Sequence, residues 1–244
     1  MNLKKIRTGL ILAAGMGTRL GNLNENKPKG LLKIGKTSII EESILKLLKS
    51  GIKKIFIITG FKHELYEEFF SQKFPEVELI KNPFYKTSNT LYSLSMARTF
   101  IKEDFLLLES DLIYEYEGLS QILNCEDEDL LLISGKTNSG DEVFVRSKDG
   151  NLISMSKNLE KLNGIYSGEF VGISKISINL FKEMMEIFNN SPNRKELSYE
   201  EDALVECAKK IKIKCLLLEK LLWSEIDDKN HLKRAKKIHK SLNN

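Results

Sequence analysis

Short apolar runs alternate along the chain with longer amphipathic segments. Thr8–Ala13 (TGLILA) and Lys54–Thr59 (KIFIIT) are continuous apolar runs, which are typical of buried parallel strands. Residues 38–50 instead carry apolar side chains at helical spacing, and Gly51 follows them as a stop signal. The same reasoning predicts strands at 77–80, 104–109 and 129–134, and helices at His63–Phe70, 89–100 and 118–124. This alternation predicts an α/β fold with a Rossmann-like, mostly parallel sheet flanked by helices.

The pattern changes after residue 135. Two runs of alternating polarity, 142–146 and 152–156, surround Asp149-Gly150, a strong signal for a β-hairpin turn. A strand at 168–174, helices at 178–188 and 201–210, a strand at 213–218 and a basic C-terminal helix complete the pattern. We therefore predict a single domain over residues 1–244, with a small antiparallel insertion at about 135–175.

Composition and charge narrow the class of protein. The 38 Lys and Arg residues exceed the 34 Asp and Glu residues by only four, and the basic cluster at 229–240 has the apolar spacing of a helix with a solvated face. We therefore expect no nucleic-acid partner. No apolar run approaches the roughly 18 residues of a membrane span, so we expect no membrane partner. Three cysteines without a CxxC pair favour a reducing, cytoplasmic location over a disulfide framework or a zinc site.

A glycine-rich segment follows the first predicted strand directly, with the sequence Ala13-Ala14-Gly15-Met16-Gly17-Thr18-Arg19-Leu20-Gly21. Glycines at this place let the backbone turn tightly and direct N–H groups at an anion, and Arg19 adds a planar fork for phosphate oxygens. The spacing G-x-G-x-x-x-G departs by one residue from the dinucleotide-binding fingerprint. Lys29, in the loop that follows, is a candidate for neutralising a triphosphate.

A second glycine motif, at residues 30–37, formally matches the P-loop pattern G-x-x-x-x-G-K-[ST]. The residues before it are polar and include Pro28, whereas a P-loop follows a buried strand. Its interior, LLKI, is itself strand-like. We interpret Lys36 and Thr37 as the end of a short turn, and we keep a P-loop NTPase, in which Lys36 would be essential, as an alternative.

Acidic residues follow apolar segments at two distant places. Asp111 ends the run DFLLLESD, at the carboxyl edge of a predicted strand where α/β proteins bind ligands. It is our first candidate ligand for Mg²⁺, which prefers oxygen donors, and its alternative role is to cap the next helix. Near the C-terminus, the run 224–228 (SEIDD) again places acidic residues after an apolar segment, and Asp228 is a candidate helix cap.

Two longer strings resemble a known family. LILAAGMGTRLG followed by KPKGLLKIG resembles the signature of the sugar-phosphate nucleotidyltransferase superfamily. The segment 82–94, NPFYKTSNTLYSL, resembles the choline-phosphate cytidylyltransferase branch of that superfamily. The later fragments SGDEVFV and GEFVGISKIS are similar to members of that branch that act on 2-aminoethylphosphonate or phosphocholine. The resemblance implies a nucleotidyltransferase fold that transfers CMP from CTP to a small phospho- or phosphono-amine, releases pyrophosphate and depends on Mg²⁺. A sugar-1-phosphate nucleotidyltransferase and a non-catalytic nucleotide-binding module remain the alternatives.

The resemblance also implies roles for individual residues. Arg19 and Lys29 would act on the triphosphate. Asp111 and Asp227 would bind the metal, with Asp228 as the competing choice for the second ligand. The nucleotide would contact Leu12, Ala13, Ala14, Gly15, Gly17, Thr87, Ser88, Asn89 and Glu109, although Ser88 or Asn89 is also a plausible helix cap. For the acceptor, Lys157 would face the phosphate or phosphonate. Acidic and aromatic side chains, including those of the run Tyr199–Asp202, would hold an ammonium group by charge and cation–π contact. The candidate acids are Asp141, Glu169 and Asp202, and the candidate aromatics are Tyr114, Tyr166 and Trp223.

Overall fold

Strands and helices alternate along most of the chain in the computed structural model, which describes residues 5–24, 27–71, 73–191 and 198–243. The strands are β1 (Thr8–Ala13), β2 (Lys33–Ile34), β3 (Thr37–Ser38), β4 (Lys54–Thr59), β5 (Val77–Lys81), β6 (Phe105–Glu109), β7 (Leu112–Tyr114), β8 (Leu130–Ser134), β9 (Phe144–Lys148), β10 (Asn151–Ser156), β11 (Gly168–Ile176), β12 (Lys214–Leu218) and β13 (Trp223–Glu225). The helices are α1 (Ile39–Lys49), α2 (His63–Phe70), α3 (Thr90–Ser95), α4 (Tyr116–Asn124), α5 (Ile178–Asn190), α6 (Glu200–Cys207) and α7 (Lys229–Leu242). Short 3₁₀ segments lie at Thr18–Asn24, Lys29–Leu31, Met96–Thr99 and Leu159–Leu162.

Nine of the described strands form one mixed sheet in the order β5-β4-β1-β6-β11-β8-β12-β10-β9. Strands β5, β4, β1 and β6 are parallel, β8 and β12 are parallel to each other, and β11 runs antiparallel between β6 and β8. In the parallel part, Ala13 lies level with Thr59, and Leu12 lies level with Glu109. The carboxyl ends of β1, β4 and β6 therefore share one edge, where α/β sheets bind their ligands.

The two faces of the sheet carry separate apolar cores. Because successive strand residues point to opposite faces, Leu10 and Leu12 of β1 pack with α3, α5 and α6, whereas Ile11 and Ala13 pack with α1, α2 and α4. Every residue of β1 is buried, as expected for a central strand covered on both sides. Within the described residues, no helix has both the length and the apolar character that a bilayer span requires.

A third, smaller apolar cluster joins the two ends of the chain. It contains Leu20, Ile34, Ile39, Ile113, Ile226 and Ala235, all nearly inaccessible to solvent. Beside it, β7 and β13 form a two-stranded antiparallel ribbon in which Leu112 lies opposite Glu225. This pairing places the start of β7, next to Asp111, beside the end of β13, two residues before Asp227. The ribbon therefore explains how residues more than a hundred positions apart reach one site.

The structure confirms the predicted α/β class, including a sheet flanked by helices and an antiparallel hairpin. The turn of that hairpin has Asp149 at φ 52° and Gly150 at φ 72°, as an Asp-Gly hairpin turn requires. Two features were not predicted. The hairpin β9–β10 adds two strands to the main sheet, and β11 lies at the centre of that sheet, antiparallel to both of its neighbours. Antiparallel pairing is therefore not confined to a separate small insertion. The three-residue strand β7 is too short to show a periodic pattern.

Candidate active site

A cavity of about 500 Å³ opens at the shared carboxyl edge of β1 and β6. Its walls come from the loop after β1, the start of α3, the residues after β6, the hairpin strand β10, the first turn of α6 and the segment after β13. Cavities of this size hold small-molecule ligands. The chemical groups on these walls determine which ligand the cavity can bind.

The two glycines of the loop after β1 have different structural roles. Gly17 has φ 62°, and a Cβ there would lie 2.8 Å from Cγ of Lys29, so the absence of a side chain lets the Lys29 stem cross the loop. Gly15 lines the cavity, and a Cβ there would meet no atom within 4 Å. Gly15 thus leaves open space where a ligand would approach the backbone, whereas Gly17 positions Lys29.

Asp111 and Asp227 converge on a single ammonium group. Lys29 Nζ donates to Asp111 Oδ2 at 2.7 Å and also pairs with Asp227 Oδ1. All three side chains are largely buried, and burial lowers the pKa of Lys29 less than the two carboxylates raise it, so it stays protonated. The predicted convergence of Asp111 and Asp227 is therefore present, beside the glycine loop.

Arg19 extends this charged network to the rim of the cavity. Its guanidinium contacts Asp227 Oδ2 at 2.8 Å and Asp141 Oδ2 at 2.6 Å, while Lys157 donates to Asp141 Oδ1 at 2.8 Å. Burial opposes ionisation of Asp141, but the hydrogen bonds from Lys157 and Arg19 outweigh it and hold its pKa at about 2. Asp141 thus fixes two cations at the cavity mouth.

The structure separates the roles of the two adjacent aspartates near the C-terminus. Asp228 is the N-cap of α7, and its Oδ1 accepts from the backbone N–H groups of Asn230 and His231 at 2.7 and 2.9 Å. Asp227 is 5% exposed and points into the charged network. Asp227 can therefore bind a cation in the cavity, whereas Asp228 caps α7.

The wall at the start of α3 is organised by Asn82, which is completely buried. Its side-chain amide donates to Ser88 Oγ and Ser93 Oγ, both at 3.0 Å, and its carbonyl accepts from the Phe84 N–H at 2.8 Å. Asn89 occupies the N-cap position of α3, but its side chain makes no capping hydrogen bond. Asn82 thus shapes the segment, and Ser88 and Asn89 line the cavity.

Most of the residues predicted to contact the nucleotide line this cavity. They are Leu12, Ala13, Ala14, Gly15, Ser88, Asn89 and Glu109. Gly17 lies behind the wall, against Lys29. Thr87 is exposed outside the cavity lining, and its hydroxyl donates to the Phe84 carbonyl at 3.3 Å.

Another part of the cavity wall, at the end of β6 and the start of α6, carries a group of carboxylates. Glu109 at the end of β6 and Glu200 and Glu201 in the first turn of α6 each offer an oxygen, and these oxygens all lie within 4.8 Å of one another. Burial and repulsion from neighbouring acids raise the pKa of all three, that of Glu201 to about 8. Burial next to Asp227 likewise raises the pKa of Glu225 to about 8. We call Glu109, Glu200 and Glu201 the acid triad.

A bulge in β11 makes room for one member of the acid triad. The register of β11 against β8 shifts between Phe170 and Ser174, and Gly172 within this stretch has φ 80°. A Cβ at Gly172 would lie 3.1 Å from the carboxyl carbon of Glu109. The glycine therefore allows both the local backbone conformation and the close approach of the Glu109 carboxylate.

The four predicted acceptor residues have different surroundings. Lys157 and Asp202 line the cavity, and Asp141 lies at its mouth. Asp202 Oδ2 also accepts from the Ser198 and Tyr199 N–H groups, so it fixes the first turn of α6. Glu169 is 1% exposed and outside the lining, and its carboxylate accepts from the Thr137 N–H at 2.9 Å.

The aromatic residues of the cavity differ from the three candidates. Tyr114 and Trp223 are buried elsewhere, the latter donating to Ser134 Oγ at 2.7 Å, and Tyr166 packs against Phe144. Tyr66, Tyr85 and Tyr199 line the cavity instead. No periodic signal marks these three tyrosines, because each reaches the cavity from a different element.

Sequence reasoning placed the acidic run Tyr199–Asp202 at the acceptor but chose only Asp202 from it, and it missed Glu225. A usable signal existed for Glu200 and Glu201, since the run begins a helix. Side chains in the first turn of a helix point in different directions. In a run of acids there, one can cap the helix while the others face neighbouring parts of the protein. Asp202 caps, and Glu200 and Glu201 face the cavity.

The P-loop alternative does not fit the structure. Residues 30–37 contain the 3₁₀ turn Lys29–Leu31 and the ribbon β2–β3, whose connecting turn holds Gly35 at φ 78° and an exposed Lys36. Lys36 does not line the cavity. The segment is therefore a turn leading to α1, as the polar residues before it indicated.

A glycine loop at the end of a parallel strand, facing two carboxylates that hold a lysine, defines a phosphate-handling α/β protein. The chain belongs to the nucleotidyl transferase family, whose sequence profile matches residues 8–133. It is 29% identical over 236 residues to the bifunctional IPC transferase and DIPP synthase of Aquifex aeolicus, covering 95% of this chain and 51% of that protein. It is 30% identical over 115 residues to the CMP-5'-(3-aminopropyl)phosphonate synthase of Streptomyces rubellomurinus, covering 46% of this chain and 18% of that protein.

Solved structures share the fold across nearly the whole chain. The inositol-1-phosphate CTP transferase of T. maritima superposes with a TM-score of 0.83 at 16% identity, covering 98% of this chain and 97% of that one. The CTP:phosphocholine cytidylyltransferase of Streptococcus pneumoniae superposes with a TM-score of 0.74 at 21% identity, covering 96% of this chain and all of that one. The chain spans about half the length, or less, of the curated relatives it matches.

Proposed function

We propose that this chain is a CTP-dependent cytidylyltransferase that transfers CMP to a small phospho- or phosphono-amine and releases pyrophosphate. The observation that carries the proposal is a single cavity in which the glycine loop, the Asp111–Lys29–Asp227 cluster and the acid triad meet. The names of several relatives and fold neighbours, which specify CTP or CMP, support the choice of nucleotide.

The triphosphate would lie against the loop after β1. Gly15 leaves the loop backbone open to the cavity, and a loop at the end of a parallel strand presents N–H groups to an anion. Arg19, with a side chain 58% exposed at the rim, and the buried Lys29 supply positive charge from two sides. These cations would stabilise the pyrophosphate as it leaves.

Asp111 and Asp227 are a suitable donor set for Mg²⁺. Both present carboxylate oxygens to one cationic atom, so the space between them already suits a positive charge. A bound Mg²⁺ would neutralise charge on the phosphates and orient them for displacement. When it binds, the Lys29 ammonium would turn from the two carboxylates towards the phosphate oxygens.

The chemistry requires no general base from the protein. An acceptor phosphate is already largely ionised at neutral pH because its second pKa is about 6, so its oxygen can attack the α-phosphorus directly. In agreement, none of the described residues lining the cavity is a histidine or a cysteine. Catalysis would consist of positioning the two substrates and neutralising charge.

The acceptor would lie between the cationic rim and the acidic wall. Lys157, held by Asp141 at the mouth, would pair with the phosphate or phosphonate. The part of the wall that carries the acid triad favours an acceptor whose other end is positively charged. A sugar 1-phosphate has no such charge, and its neutral hydroxyls would leave the buried carboxylates without a counterion.

A nucleotide-by-acceptor panel tests the proposal. Purified protein would receive CTP, UTP, dTTP or ATP with a phospho-amine, a phosphono-amine or a sugar 1-phosphate, and pyrophosphate release would be measured. We expect release only with CTP and an amine-bearing acceptor. Release with sugar 1-phosphates would favour a sugar nucleotidyltransferase, and CTP binding without any release would favour a regulatory module.

A further inference from the structure

We infer that the acid triad, Glu109, Glu200 and Glu201, binds a primary ammonium group and makes the protein select primary-amine acceptors over quaternary ones. The inference rests on the proposed function and adds which kind of amine the cavity accepts. It is carried by the position, burial and hydrogen bonding of the three carboxylates.

The triad carboxylates lack protein partners for part of their hydrogen-bonding capacity. Glu200 is 2% exposed, and in the described part of the chain neither its Oε2 nor that of Glu201 has a hydrogen-bond partner. A buried polar oxygen without a partner costs about 1–3 kcal/mol, so such atoms are usually satisfied by a ligand or water. Both glutamates line the cavity, so a ligand there can supply the missing donors.

The nearby cations are already committed to other carboxylates. Lys29 pairs with Asp111 and Asp227, and Lys157 pairs with Asp141. In the proposed reaction both lysines would face phosphate or phosphonate oxygens, not the triad. The acceptor would therefore have to bring its own positive charge to the triad. Glu109 and Asp111 are separated by Ser110 alone, which places the triad within one short acceptor's length of the proposed transfer site.

The spacing of the triad suits three N–H donors on one nitrogen. Charge-assisted N–H···O bonds are about 2.8 Å long, and three acceptors placed tetrahedrally around a nitrogen at that distance lie about 4.6 Å apart. The triad oxygens lie within 4.8 Å of one another. A primary ammonium would thus donate one hydrogen bond to each carboxylate and neutralise part of their charge.

A quaternary ammonium would not supply the hydrogen-bond donors that the triad carboxylates lack. It has no N–H group, so the buried Oε2 atoms of Glu200 and Glu201 would stay without donors in its presence. Such cations are recognised by aromatic cages, and tryptophan is the strongest cage residue. The single tryptophan, Trp223, is buried and bonded to Ser134 outside the cavity lining, so the aromatic side chains of the cavity are the weaker cage residues Tyr66, Tyr85 and Tyr199.

The experiment compares three acceptors that share an anionic end. These are 2-aminoethylphosphonate with a primary amine, phosphocholine with a quaternary amine and ethylphosphonate with none, each with CTP and Mg²⁺ under steady-state pyrophosphate detection. We expect kcat/KM to be at least ten-fold higher for 2-aminoethylphosphonate than for either of the others. Equal or greater efficiency with phosphocholine overturns the inference and leaves the proposed cytidylyltransferase in place. Activity with sugar 1-phosphates alone overturns both.

Glu201→Gln tests the triad directly, because glutamine keeps the side-chain shape but cannot ionise to form an ion pair with a bound ammonium. We expect KM for 2-aminoethylphosphonate to rise at least ten-fold, with KM for CTP and the Mg²⁺ dependence unchanged. Glu206→Gln is the matched control on the same helix, since Glu206 pairs with Lys209 at the surface and should leave all constants unchanged. An unchanged acceptor KM, or an altered Mg²⁺ dependence instead, would overturn the inference, and a melting curve for each variant verifies folding.

Discussion

At the scale of single residues, the cavity concentrates groups that cost stability in the ligand-free protein. Glu109, Glu200, Glu201 and Glu225 are acids whose pKa is raised, mainly by burial. Such acids are more costly to ionise in the folded chain than in the unfolded one. The arrangement is understandable if a cationic ligand and a metal compensate these charges during function.

This cost has a definite pH dependence. The folded-state pKa of Glu201 is about 8, above its ordinary value of 4.5, so the folded form binds a proton more tightly than the unfolded form. The stability contributed by the protonated group is complete below pH 4.5 and is lost as pH rises towards 8. Glu201→Gln should therefore raise the free energy of unfolding more at pH 8 than at pH 5, by about 1–3 kcal/mol. Urea denaturation without ligands measures this, and an equal effect at both pH values would contradict the assignment.

The two loop glycines should differ in the consequences of replacement by alanine. Gly17→Ala places a Cβ at positive φ and against Lys29, so it should lower the melting temperature. Gly15→Ala meets open space in the protein, so it should leave the melting temperature unchanged and weaken CTP binding at least ten-fold. Thermal melts and calorimetric titration with CTP separate the two effects. Unchanged CTP affinity in Gly15→Ala would place the triphosphate elsewhere.

At the scale of secondary-structure elements, sequence pattern predicted those with strong periodicity. The bounds of β1, β4 and α2 agree with the prediction because continuous apolar runs and a helical stripe mark them. The ribbon β7–β13 could not be predicted, because its strands have three residues each and are held by tertiary packing. The β11 irregularity at Gly172 could not be predicted either, because the group it accommodates, the Glu109 carboxylate, is distant in the sequence.

The bulge provides a test at this scale. Gly172→Ala should cost about 1–2 kcal/mol from positive φ and should also displace Glu109, raising the acceptor KM. Gly164→Ala is the matched control, because Gly164 has φ 70° but a Cβ there meets no atom within 4 Å. Both variants should lose stability from the positive φ in chemical denaturation, Gly172→Ala more than Gly164→Ala because of its contact with Glu109, and the acceptor KM should rise in Gly172→Ala alone. An equal acceptor KM in both variants would contradict the role of Gly172 in positioning Glu109.

At the scale of the whole molecule, the site exists because the two ends of the chain meet. Leu20 from the glycine loop and Ile226 from the C-terminal segment belong to one apolar cluster, so Arg19 and Asp227, one residue away from each, are brought into contact. The sequence contained both motifs, and their family resemblance predicted the convergence. It could not distinguish Asp227 from Asp228, because that choice depends on where α7 begins.

The measurement that tests the central claim most directly compares Asp227→Asn with Asp228→Asn. Asn is a good helix cap, so Asp228→Asn should retain the α7 N-terminus and near-normal CTP-dependent pyrophosphate release. Asp227→Asn removes a charge from the proposed metal site and should lower kcat at least about 100-fold while the protein stays folded. Near-normal kcat in folded Asp227→Asn, or an equal loss in both variants, would contradict the account.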